Sequence, residues 1–149
     1  MSAVQIMDFD PECLDDFEFD GLPEFAAERI KQQAEAGICF VAYDNGKVIA
    51  IGGIIDLWPG VGEIWSVISK DIIGKWVHWV AIHRHAKGMV RMWFDAGGHR
   101  LQASIIRANG YLLARAWLHR LGFGFEGTMA QYGFDRSNYE RWAIVAQGG

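Results

Sequence analysis

The chain has 149 residues, of which 51% are apolar, with seven tryptophans and a net charge of −4. A chain of this size and composition is expected to form one packed domain over 1–149. It can bury roughly 70% of its unfolded surface, so it needs no metal or disulfide staple. A negative balance without a recognisable motif argues against free nucleic-acid binding, and no apolar run reaches the ~20 residues of a membrane span.

Cys13 and Cys39 have no close spacing and read as two buried free thiols of a reducing cytosol rather than a disulfide. The opening MSAVQIMDFD lacks a basic, apolar signal segment, which places the expectation in the cytoplasm. Acidic residues crowd the first 24 positions (Asp8, Asp10, Glu12, Asp15, Asp16, Glu18, Asp20, Glu24), and no Lys or Arg precedes Arg29. Arg84, Lys87, Arg91, Arg100, Arg107, Arg115 and Arg120 fall in the second half. Such lobes attract an amine and a phosphate respectively, or they are two solvated faces that offset each other.

In chain order, residues 3–9 alternate as a first strand. Asp10 then caps a short acidic helical turn opened by Pro11. Pro23 starts a better helix with Leu22, Phe25, Ala26, Ile30 and Ala34 at helical spacing, and Gly37 stops it. ICFVAY, VIAIGGIIDLW and VGEIWSVIS follow as a three-strand antiparallel meander, turning at Asn45-Gly46 and at Pro59-Gly60.

From Asp71 to about Phe94 the composition is helical, with Gly97-Gly98 ending the run. Its early turns present Ile72, Ile73, Trp76 and Val80, whereas later turns present Trp79, Ile82, Ala86, Met89 and Trp93. At ~100° per residue these stripes differ in direction, so the helix either breaks near Gly88 or is covered on two sides. The second option makes it a surface for a protein partner or self-association. RLQASIIRA reads as a strand, and Asn109 leads a helix whose buried face is expected at Leu112, Leu113, Ala116, Trp117 and Leu121, with Gly122 as cap. FEGTMAQYGF and YERWAIVA close the chain as two strands joined across Asp135–Asn138.

The resulting α+β order, β-α-α-β-β-β-α-β-α-β-β, together with ARAWLHRLGF at 114–123, resembles the GNAT superfamily of N-acetyltransferases and its Ala-x-x-Leu-Tyr-x-Lys-Leu-Gly-Phe ending. The resemblance implies a mixed, mostly antiparallel central sheet flanked by helices, with acetyl-CoA as donor and an amine as acceptor. More narrowly, AIGG, WSVISKD, the long helix without a glycine-rich start, and HRLGFGFEG are similar to GNAT-like internal virion proteins of short-tailed bacteriophages. That resemblance implies a binding role in virion assembly or DNA ejection, and a place in the host cytoplasm and the virion.

GNAT enzymes seat the donor's diphosphate on a glycine-rich loop and the start of the helix that follows. The corresponding stretch here is Ser69-Lys70-Asp71-Ile72-Ile73-Gly74-Lys75-Trp76. One glycine remains, the family's leading Arg or Gln is not in register, and Trp76 is bulky. Asp71 adds a negative charge that Lys70 and Lys75 offset only in part, so the acetyl-CoA site is expected to be degenerate. A lone Gly of this kind also reads as ordinary backbone punctuation. The resemblance assigns the cofactor residues to Val67, Ser69, Lys70, Gly74, Lys75 and Asn109, where Asn109 reads equally as a helix N-cap.

Acyl transfer needs a base for the incoming amine and an acid for the departing thiolate. Glu63 stands where the family places a strand glutamate. It reads either as that base, its pKa lifted by Trp65 and Ile64, or as a strand-entrance residue facing water. The family's acidic Tyr is replaced by Leu118, which leaves Tyr111 and Tyr132 as substitutes or as ordinary amphipathic side chains. His78, His83 and His85 are not at i, i+4 and form no helical zinc pair, so they read as surface or interfacial groups. No nucleophile elbow or Walker loop appears.

Overall fold

The computed structural model describes residues 4–17, 24–69, 76–108 and 110–147. The observed elements are β1 (Val4–Asp8), a 3-10 turn (Pro11–Asp15), α1 (Ala26–Glu35), β2 (Gly37–Asp44), β3 (Lys47–Trp58), β4 (Val61–Ile68), α2 (Trp76–Asp95), β5 (Arg100–Ile106), α3 (Tyr111–Leu121), β6 (Gly124–Met129) and β7 (Tyr139–Val145). The order is the one expected. The strands form one mixed seven-stranded sheet, β1-β2-β3-β4-β5-β7-β6, in which β4 and β5 run parallel. By contacts the chain divides into two compact units: Met1–Asp56 with Ile64–His85, and Leu57–Glu63 with Ala86–Gly149.

In the first unit, local chemistry sets the turns. The Asp10 carboxylate accepts the Glu12 N–H at 2.9 Å, capping the turn that Pro11 opens. Asn45 and Gly46 both take positive φ (51° and 78°), so the β2–β3 hairpin turns in the sense that matches strand twist. Cys13, Leu14, Phe17, Ile30, Cys39, Val41, Val48 and Ile51 close the core, with Trp65 and Val67 packed against it. Both cysteines are free and buried. Gly53 of the AIGG stretch is required by sterics, because a Cβ there would strike the Ile38 carbonyl of the adjacent strand.

The second unit holds the first three residues of β4, which pair with β5 as Val61↔Arg100, Gly62↔Leu101 and Glu63↔Gln102. β5 pairs antiparallel with β7, and β7 with β6. Leu101, Ala103, Leu118, Phe123 and Trp142 are buried. Gly122 ends α3 in the left-handed conformation at φ 98°, and Phe123 N–H returns to the Leu118 carbonyl.

Two helix faces differ from expectation. In α3, Leu112, Leu113 and Ala116 are exposed, while Leu118 is buried and Tyr111, Ala114, Trp117 and Leu121 are half-buried, so the expected face holds only at Trp117 and Leu121. The inward stripe is therefore 111-114-117-118-121. A polar contact of Tyr111, described below, fixes this rotation, and apolar periodicity alone does not see it. In α2, the helix runs unbroken through Gly88 and buries one stripe, His78, Ile82, Ala86 and Met89. Trp76, assigned to a second buried stripe, is 71% exposed; Ile72 and Ile73 lie outside the described residues. Along the second apolar direction Val80 is half-buried, and nothing among the described residues shows what would cover Trp76. The expected strand through Phe134 also shortens: β6 stops at Met129, so Tyr132 lies in the connection to β7 rather than on a strand.

Candidate active site

Glu63 sits where the parallel pairing of β4 and β5 ends. Its Oε1 accepts from Arg141 Nη1 at 2.6 Å and from Gln102 Nε2 at 2.9 Å. The side chains of Arg141 and Glu63 are only 18% and 22% exposed, so the ion pair is partly dry. Glu63 therefore does not simply face open water; a guanidinium and an amide hold it. Both donors fall on one oxygen. Among the described residues Oε2 is the oxygen left to accept from a substrate.

The network extends along the same sheet face. Gln102 Oε1 accepts from Arg100 Nε at 3.0 Å, and Arg100 grips Glu126 through two N–H donors at 2.8 and 2.6 Å. This bidentate contact holds the Glu126 carboxyl below its ordinary range and raises Arg100. A register shift between Phe125 and Gly127 accompanies Glu126, and bulges of this kind re-aim a side chain beside a site.

Tyr111 belongs to a second network. Its hydroxyl donates to Glu140 Oε2 at 2.6 Å, and the same carboxylate accepts from Trp142 Nε1 at 3.0 Å. Arg107 Nε stands 3.5 Å from Glu140. Glu140 is 4% exposed, a buried carboxylate supplied with donors. Accepting the phenol proton, it pushes the Tyr111 pKa up. Glu140 and Arg141 are consecutive in an unbroken β5–β7 ladder, so they point to opposite faces. Glu63 and Tyr111 are thus on opposite sides of the sheet and do not meet. Tyr132, 52% exposed, stacks at a tilt on Tyr139, with ring centroids 5.3 Å apart.

Of the residues assigned to the donor, Lys70, Gly74, Lys75 and Asn109 lie outside the described residues; the cap position of α3 is Gly110. Val67 packs its side chain on the first unit's core. Ser69 is buried and its backbone N–H is taken by the Ile49 carbonyl at 2.9 Å. The first turn of α2 carries no acidic residue. Asp71, the acidic residue expected near the diphosphate, lies outside the described residues with Lys70, Gly74 and Lys75.

The histidines are not all surface groups. His78 is 4% exposed and its Nε2 lies 2.9 Å from Asp44 Oδ2. His85 packs edge-on against Phe40, with centroids 4.6 Å apart, and burial lowers its pKa. No group of three or more metal-binding side chains is found among the described residues, and no described helix is long and apolar enough to cross a membrane.

Sequence reasoning missed Arg141, Gln102 and Glu140. The alternation of YERWAIV contains a signal for two of them: it puts Glu140 and Trp142 on one face and Arg141 on the other. A carboxylate sharing a strand face with Trp calls for buried donors. Gln102 carries no comparable signal.

No protein-family profile matches the chain, and no curated protein does. Solved structures do. An IAA acetyltransferase from Bacillus cereus superposes with a TM-score of 0.72 at 18% identity, over 97% of this chain and 100% of that one. The ribosomal-protein-S18-alanine N-acetyltransferase from Escherichia coli gives 0.74 at 16% identity, over 99% and 97%. An acetyltransferase of the GNAT family from Streptococcus pneumoniae gives 0.67 at 19%, over 97% and 100%. Identities this low carry the fold alone. None of these three is a virion protein.

Proposed function

On the premise that this chain has the GNAT acetyltransferase fold, we propose that it is an N-acyltransferase that moves acetyl from acetyl-CoA to an amine. The observation that carries the reading is Glu63: a partly buried carboxylate at the end of the β4–β5 pairing, anchored through Oε1 with Oε2 left to act. Acetyl-CoA is a substrate here and supplies the activated thioester. In the reaction the amine nitrogen bonds to the acetyl carbon as the carbon–sulfur bond breaks; Glu63 Oε2 takes the nitrogen's proton, and the thiolate leaves and is protonated. Arg141 and Gln102 position the base by fixing its other oxygen. By the resemblance to the GNAT family, Lys70, Gly74 and Lys75 would hold the diphosphate.

Leu118 supplies no proton, and Tyr111 holds its own for Glu140. In this reading the thiolate is protonated from solvent. The narrower virion-assembly role, through a partner on the long helix, draws no support from the single buried stripe of α2.

Thermal shift with acetyl-CoA tests the proposal, since a ligand that binds the folded chain must stabilise it by mass action. Stabilisation together with thiol release on adding an amine supports it. No shift at millimolar acetyl-CoA removes it.

A further inference from the structure

Arg141 has more binding capacity than Glu63 uses. Nη1 donates to the carboxylate, but among the described residues Nη2 reaches only the Met129 thioether sulfur at 3.5 Å, a weak acceptor. A guanidinium this shielded, at 18% exposure, ordinarily fills its donors with oxygen. Its two cross-strand neighbours are small: Ser104 on β5 and Gly127 on β6. A Cβ added at Gly127 would meet nothing within 4 Å, so the sheet face is open on that side of the guanidinium. On the other side the Ser104 hydroxyl oxygen is buried with no hydrogen-bond partner among the described residues. An orphaned hydroxyl costs free energy until a ligand satisfies it. A planar cation with one edge held only by a thioether among the described residues, an unpartnered hydroxyl on the cross-strand neighbour and an open notch together make a receptor for a small oxyanion.

We infer that Arg141, with Ser104 and Gly127, is an anion subsite for the acceptor, so that the amine acetylated belongs to a molecule that also carries a carboxylate near it, as a free amino acid does. The inference rests on the acyltransferase reading and names its substrate class. Arg141 bridges the two functions: one edge holds the base, and the other holds the acceptor's carboxylate, which brings the amino group toward Glu63. The negative charges of Glu63 and Glu126, which both face Arg141, favour a monoanionic carboxylate over a phosphate dianion.

The test is acetylation by the full chain of matched acceptors: L-leucine, leucinamide and isoamylamine, equivalent sets built on alanine and phenylalanine, and O-phosphoethanolamine and spermidine. The expected result is a kcat/KM about 10- to 100-fold higher for the acid than for its amide, carried mainly by KM. Gly127→Val fills the notch and Ser104→Ala removes the hydroxyl. Each should move the acid-to-amide ratio toward one while the Arg141–Glu63 contact stays in place. Amides, amines or spermidine acetylated as well as the acids would overturn the anion subsite and leave the acyltransferase reading standing. A ratio unmoved by both variants, or a preference for O-phosphoethanolamine, would also overturn it. If nothing is acetylated and acetyl-CoA gives no thermal shift, both readings fall together.

Discussion

The Glu63–Arg141 pair can be measured by a double-mutant cycle of Glu63→Gln, Arg141→Met and the double variant. Glutamine keeps an oxygen for the Arg141 and Gln102 donors and removes only the charge. Full Coulomb attraction at about 4 Å and an effective dielectric of 20 is about 4 kcal/mol, an upper bound. An exposed pair yields 0–1 kcal/mol, roughly. With side chains 18% and 22% exposed, the pair falls between these limits, and a coupling of about 1–2 kcal/mol is expected. At roughly 2–4 °C per kcal/mol for a chain of this size, a coupling of that size corresponds to about 2–8 °C in Tm. Urea unfolding followed by tryptophan fluorescence supplies the four free energies. Single effects that add to the double within about 0.5 kcal/mol would refute the premise that this sheet face is dry enough to couple charges. In the same series, Glu63→Gln should slow turnover by about 10²- to 10⁴-fold while the acetyl-CoA thermal shift persists.

Burial lowers the His85 pKa in the folded chain, so the unfolded chain takes up its proton first as pH falls. Stability should decline as pH drops below about 6.5, the unfolded value, and level off below the folded pKa; His85→Leu, compared by urea midpoints at pH 7.5 and 5.5, should flatten that slope. Burial pushes Cys13 to about 11 and Cys39 to about 12, which leaves almost no thiolate at neutral pH. Ellman's reagent should be slow on the native chain and titrate two thiols in denaturant, and fast native labelling of either would contradict their burial. Leu101 is fully buried, so Leu101→Ala should cost about 2–5 kcal/mol by calorimetry or urea unfolding.

Local chemistry made the elements legible. Asp10-Pro11 announces a capped turn, Asn45-Gly46 a hairpin and Gly122 a helix end, because each acts through its own backbone and immediate neighbours. Helix faces were less legible. Leu112 and Leu113 suggested an inward stripe, yet Tyr111 bonds to Glu140 and turns α3 so that both leucines point outward. His78 sits inward because Asp44, 34 residues earlier, gives it a partner.

The candidate site divides in the same way. The resemblance to the GNAT family singled out Glu63, through the strand it occupies. Its environment depends on Arg141, 78 residues away, and Gln102, 39 residues away, and cross-strand register decides which side chains meet. Element order and turn positions were determined by the sequence itself, since propensity, caps and glycine conformations act over a few residues. Only the tertiary structure decided which carboxylate is paired, which oxygen is left open and which guanidinium edge is unfilled, because each depends on contacts between strands far apart in the chain.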